Sequence, residues 1–300
     1  MKKLIIQVRC NEYASREKNP NIPWLPGEIA RDAAECRQAG ANIMHFHERS
    51  KDGSPDGRFE TFRDIMLAVR AKTDVMLDPT LGNTTVDGSN KTPEQRLSNV
   101  IRLAENPLTK PDFAPVDMGS VNWDLYDPEA REYRTKGIIY KNGTDALEYF
   151  LQKLPSLGIK TELISWSIPF TRQITAFLDA GKIRTPACVN FLMSGDSFHA
   201  GHPGTPDGLD AHIKSLPKHH HVEWFCGNYQ GDLLPITEKI ILAGGHIAIG
   251  IGDYHYAEYG SPTNAELVYR VAKQAQALGR EVATLEETRH ILGMGSTFIK

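Results

Sequence analysis

Eight short apolar runs alternate with stretches of helical period along the whole 300-residue chain. That alternation restricts the fold more than any other feature, because repeated strand–helix units predict a parallel sheet covered by helices. Strands are expected over 4–8, 42–46, 74–77, 113–118, 160–164, 187–191, 222–226 and 246–251. Helices are expected over 26–39, 59–71, 145–157, 170–180, 209–216, 235–243 and 264–278, with a further one opening at Thr92. Their punctuation fits: Pro26 starts the first and Gly40 follows it, while Thr92 and Gln95 can form a reciprocal cap. Eight such pairs without a compositional break predict an α/β chain folded as a single (β/α)8 TIM barrel, one domain over 1–300. An open doubly wound sheet is the runner-up, but no GxGxxG, Walker A or GxSxG motif follows any strand.

Composition narrows the function. A formal net charge of -3, with both signs interspersed, gives no basic footprint for nucleic acid. No apolar run reaches the roughly 20 residues that span a bilayer, and the N-terminal segment lacks a signal-peptide core. A cytoplasmic enzyme with no membrane partner is expected. The four scattered cysteines, Cys10, Cys36, Cys188 and Cys226, are expected to be reduced and mostly buried.

In a barrel, chemistry gathers at the C-terminal ends of the strands. The second strand ends in His45-Phe46-His47, and the period of two puts both imidazoles on one face. They are candidate metal ligands; the alternative is a pair of hydrogen-bonded histidines in a wet barrel mouth. Arg9 and Glu12 close the first strand, where Arg9 could clamp a carboxylate or pair with Glu12 or Glu162. Asp78 and Thr80 follow the third strand, Ser120 and Asn122 the fourth. Asp253 and His255 close the eighth, as ligand, base or cap. His246 and the run His219–His221 lie at strand starts and are expected to be structural.

With these residues in view, the chain resembles the β-keto acid cleavage enzymes nearly end to end. The resemblance rests on segments 19–29, 39–47, 117–122, 244–247, 263–268 and 278–284. It implies a Zn2+ ion on His45 and His47, with acetyl-CoA as cosubstrate. The implied reaction takes a β-keto acid and acetyl-CoA to acetoacetate and a new acyl-CoA. It also implies roles for Thr80, Ser120 and Asp253. Three positions depart from the family pattern. Its zinc-binding glutamate is Gly252 here, an arginine beside the base is Ala248, and a glutamate of the fifth strand is Ile164.

The third metal ligand must then come from elsewhere, with Asp253, His255 and Glu48 as the candidates and Asp253 favoured. Asp253 is expected to be the base, with Arg9, Glu12, Thr80 and Ser120 completing the catalytic set. Arg9 is expected to replace the lost arginine, and a homo-oligomer is expected. The rival readings are a metal-dependent hydrolase, for which His199 or His202 would have to serve, and a barrel that binds without turnover.

Overall fold

The computed structural model describes residues 2–81 and 88–295. Eight parallel strands form one sheet: β1 (Ile6–Arg9), β2 (Ile43–Phe46), β3 (Met76–Pro79) and β4 (Phe113–Asp117), then β5 (Lys160–Ser165), β6 (Ala187–Ser194), β7 (Val222–Tyr229) and β8 (His246–Ile249). Hydrogen-bonded pairing runs from β3 through β2 and β1 to β8, and on through β7, β6 and β5 to β4. The seam between β3 and β4 is bridged where the Asp112 amide donates to Leu77 carbonyl oxygen at 3.0 Å. The sheet is thereby a (β/α)8 TIM barrel.

Helices surround it in sequence order: α1 (Pro26–Ala39), α2 (Phe59–Arg70), α3 (Pro93–Ala104), α4 (Thr144–Ser156), α5 (Ile168–Asp179), α6 (Pro206–Ser215), α7 (Thr237–Leu242), α8 (Asn264–Ala277) and α9 (Leu285–Ile291). Each start has a local cause. Pro26 occupies the first turn of α1, and the Glu28 carboxylate accepts the amides of Trp24 and Leu25 at 2.9 and 3.1 Å. Thr92 and Gln95 cap α3 reciprocally, as their spacing predicts. None of the helices in the described residues is long and apolar enough to cross a membrane. All four cysteines are free and buried.

Two features depart from the sequence expectation. The chain between β4 and α4 carries two small antiparallel ribbons, Val121–Asn122 with Ile139–Tyr140 and Tyr126–Asp127 with Glu132–Tyr133. Two-residue ladders are too short to show period two. Helix α9 also goes unread. Leu292 and Ala283, which flank it, join Ile5, Ile43, Met76, Phe113, Cys188 and Phe225 in a separate apolar cluster that closes the barrel floor.

Above that floor the interior becomes polar. Gln7 donates to Asp78 at 3.0 Å, and Asn190 donates to Gln7 at 3.1 Å and to Glu162 at 3.0 Å. Strands β1, β3, β5 and β6 are thus tied across the barrel at one level, which fixes the height of the residues one step further along.

His246 is structural, as its place at a strand start suggests. Its Nδ1 accepts the Ile5 amide at 3.0 Å, so Nε2 carries the proton and donates to Glu223 at 3.2 Å. Burial disfavours the Glu223 charge, but His246, Lys2 and His221 outweigh it and hold the carboxyl at about 2. Burial likewise brings His246 down to about 4 against the pull of Glu223. Both folded values lie below the ordinary 4.5 and 6.5, so the unfolded chain takes up protons first. Stability from these groups is complete above about pH 6.5 and is lost towards pH 4 and below. The melting temperature should therefore fall steadily as pH drops from 7 to 4. Glu223→Gln should lower it at pH 7 and flatten the decline below about pH 4.5, where the Glu223 carboxyl itself takes up a proton; an unchanged slope there would contradict this assignment.

Candidate active site

The mouth of the barrel opens into a small cavity of about 70 Å³. Arg9, Glu12, His45, His47 and Thr80 line it, together with Asp117, Ile164 and a wall of aromatic rings. Strand β2 delivers the two histidines to the same side, their ring centroids 5.2 Å apart. Asn11 fixes the second by accepting the His47 amide and donating to the His47 carbonyl oxygen, both at 2.8 Å.

Glu12 completes the group. Its carboxylate oxygens lie 3.3 Å from His45 Nε2 and 2.7 Å from His47 Nε2. One ligand atom from each of the three falls within 4.8 Å of the others. The Glu12 backbone is in the left-handed region, at φ 32°, which costs about 1–3 kcal/mol for a residue with a side chain. Arg49 holds the strained turn by donating to the Glu12 carbonyl oxygen, and to that of Ala14 at 3.2 Å.

The donor chemistry fits a divalent metal. His45 Nε2 and Glu12 Oε1 are buried without a hydrogen-bond partner. His45 Nδ1 lies 3.1 Å from Asp78 Oδ2, so the imidazole is oriented by a carboxylate with its other nitrogen turned towards Glu12. Two imidazoles and one carboxylate with an open side form a catalytic ligand set. Burial and Arg9 oppose protonation of His45, but Glu12 and Asp78 prevail and raise it to about 10. The donors hold a proton where a cation would sit.

Further acids lie beneath. Glu162 is pushed up to about 8, by burial and then by Asp78. A proton on Glu162, hydrogen-bonded to Asp78, gives a partner to Glu162 Oε2 and Asp78 Oδ1, which otherwise have none. Arg9 Nε stands 3.1 Å from Glu12 and 3.4 Å from Asp253, while its Nη1 is buried and unpartnered beside the cavity. Asp253 is pushed up to about 7 by burial, with Arg9 opposing.

The other expected residues separate. Thr80 reaches the cavity, and so does Ile164. Asp253 stands behind Arg9 and is not part of the lining. Neither is His255, whose Nδ1 accepts the Ala257 amide at 3.0 Å. Glu48 is buried outside the triad, its carboxyl well above the usual range through burial. Ser120 Oγ accepts the Asn142 amide at 2.9 Å and serves the loop. His199 and His202 also lie outside the cavity lining, so β6 supplies no imidazole of the kind the hydrolase reading needs. The rings of Tyr13, Tyr140, Trp166 and Tyr229 and the carboxyl of Asp117 escaped the sequence reading. They become neighbours only when four different strand–helix connections meet.

The place of the missing glutamate has a steric explanation. Beyond β8 the chain turns tightly against β1, the Gly252 amide donating to the Arg9 carbonyl oxygen at 3.0 Å. A Cβ at Gly252 would lie 2.6 Å from the Asn11 nitrogen, and one at Gly250 would collide with the Arg9 carbonyl. No side chain fits at 252 with this backbone.

Residues 3–294 match the model of the beta-keto acid cleavage enzyme family. The chain is 30% identical over 299 residues to a 3-keto-5-aminohexanoate cleavage enzyme from Acetoanaerobium sticklandii, covering 98% of this chain and 99% of that one. It is 25% identical over 294 residues to a 3-dehydrocarnitine:acetyl-CoA trimethylamine transferase from Rhizobium meliloti, covering 92% and 91%. Among solved structures, ObcA with oxaloacetate superposes with a TM-score of 0.70 at 13% identity, covering 92% of this chain and 68% of that one. At that identity the likeness is one of fold.

If Asp78 orients His45 for a metal, Asp78→Asn should weaken divalent-metal affinity by roughly 10–100-fold while leaving the fold intact. Competition with a chromophoric chelator measures this directly. Unchanged affinity would remove Asp78 from the support of the site.

Proposed function

The chain belongs to the beta-keto acid cleavage enzyme family, and on that premise we propose that it condenses a β-keto acid with acetyl-CoA and cleaves the adduct to acetoacetate and a new acyl-CoA. The observation that carries the reading is the convergence of Glu12, His45 and His47 with Arg9 in one cavity. Zinc suits the three donors, and when bound it would polarise the keto oxygen of the substrate.

The chain's own groups supply the remainder. Arg9 lines the cavity, where a guanidinium can bind the carboxylate of the β-keto acid. Thr80, buried to 8% exposure at the end of β3, offers a hydroxyl for the same group. Asp253 is the proton acceptor, working through a water alongside Arg9. A carboxyl raised to about 7 is half ionised near neutral pH, which suits a general base. Arg9 also restores the positive charge that Ala248 no longer provides.

The test is turnover of a panel of β-keto acids with acetyl-CoA labelled in its acetyl group. Label should appear in acetoacetate, and a new acyl-CoA should form. Hydrolysis of the keto acid without acetyl-CoA, or binding without turnover, would favour one of the rival readings instead. The rate should follow the ionised form of Asp253, so kcat/KM should decline as pH falls below about 7. Asp253→Asn should cost about 10²–10⁴-fold and abolish that acid limb. A variant that keeps the limb would assign the base elsewhere.

A further inference from the structure

The barrel has a second cavity, at the opposite end from the mouth. It measures about 690 Å³, against about 70 Å³ at the mouth. Its walls come from the segments that enter the strands. Lys110 and Asp112 stand ahead of β4, Lys160 and Thr161 open β5, Lys182 and Arg184 stand ahead of β6, and Arg289 lies on α9. Cys188 belongs both to this wall and to the apolar cluster that closes the barrel floor. A packed layer therefore separates the two cavities, and a molecule bound below is apart from the chemistry at the mouth.

Charge in this lower cavity is unbalanced. Six cationic side chains line it, Arg70, Lys110, Lys160, Lys182, Arg184 and Arg289, against the two carboxylates of Glu105 and Asp112. Asp112 is already engaged by Arg70 and Arg289, at 2.6 and 2.7 Å, and Lys182 reaches Glu148 at 2.9 Å. Among the described residues Lys110, Lys160 and Arg184 pair with no carboxylate. Lys160 donates to the Pro186 carbonyl oxygen at 2.6 Å, and burial draws its amine below the ordinary lysine range. Two donors of lining residues, Thr161 Oγ1 and Arg70 Nε, are buried with no hydrogen-bond partner among the described residues. Cations without counter-charge and donors without acceptors both cost stability. A bound anion would satisfy both.

We propose that this lower cavity is a second ligand site, which binds a small organic phosphate. One phosphate group brings nearly two negative charges and several acceptor oxygens. That matches Lys110, Lys160 and Arg184, which reach the cavity from three different connections, together with the Thr161 hydroxyl. A single carboxylate would leave most of the surplus charge uncompensated, and a neutral molecule would leave all of it. The organic part has its own side of the cavity, supplied by Pro107, Pro155, Ile183 and Met294. The volume falls within the roughly 300–1,000 Å³ of small-molecule sites and admits a ligand of nucleotide size. Thr161 and Cys188 flank Glu162 along β5 and across to β6, so the site lies directly beneath the polar layer that carries the metal donors.

Isothermal titration calorimetry of the full chain with ADP, pyrophosphate and adenosine tests the site without reference to any reaction. ADP and pyrophosphate should bind, and adenosine should not. The double variant Lys110→Ala/Arg184→Ala, checked for folding by circular dichroism, should weaken ADP binding by about tenfold or more. Thr161→Val separates binding from folding, because it removes a buried hydroxyl that has no partner. Its melting temperature should hold or rise while its affinity for ADP falls severalfold. A chain ending at Gly295 should bind ADP as the wild type does. Failure of the wild type to bind either phosphate, or ADP binding that both variants leave intact, would overturn the inference. Binding that appears only in the chain ending at Gly295 would also overturn it and assign the cavity to residues 296–300.

Discussion

Arg9 is buried among four acids, Glu12, Asp253, Glu162 and Asp78, and the upper half of the barrel is arranged around that imbalance. One guanidinium cannot neutralise four carboxylates in a medium of low polarity, where each unpaired charge costs several kcal/mol. The interior answers with protons: Glu162 and Asp253 are raised to about 8 and about 7, and His45 takes one up. Such an arrangement is poorly suited to a purely structural core. It is well suited to receive a dication between Glu12, His45 and His47, which would offset the surplus negative charge and release the histidine proton.

The same crowding keeps the eighth strand out of the group formed by Glu12, His45 and His47. The turn after β8 presses Gly250 and Gly252 onto the backbone of Arg9 and Asn11. The eighth strand therefore contributes no side chain to the triad, and the first strand contributes two groups, a carboxylate and a guanidinium. Glu12 reaches its place through a strained backbone, a cost the fold sustains because Arg49 clamps the turn. Strain kept at a residue with this position is a mark of use rather than of accident.

The barrel, the strand ends and the His45–His47 pair were legible because they obey local rules: alternation, helix punctuation and the period of two. The strand boundaries erred most where sheet pairing overrode local pattern. Strands β6 and β7 continue in register to Ser194 and Tyr229, well past the apolar runs that announce them. The place of Glu12 beside the two histidines was not legible, since it depends on one backbone torsion; the sequence pointed to Glu12 as a catalytic group and to Asp253 as third ligand. Ser120 matched a family position, yet its loop uses the hydroxyl as an acceptor. The aromatic wall of the cavity was beyond reach for another reason: Trp123, Asp117, Trp166 and Tyr229 are separated in sequence and joined only by closure of the barrel.

The central claim is that Glu12 is the third metal donor, in place of a residue on the eighth strand. Elemental analysis of the purified wild type, Glu12→Gln and the His45→Ala/His47→Ala double variant tests it, with each protein reloaded with zinc and dialysed. Near-stoichiometric zinc in the wild type, and its loss from both variants with the fold preserved, is the expected result. Zinc retained at wild-type affinity by Glu12→Gln would contradict it and return the search for the ligand to Asp253.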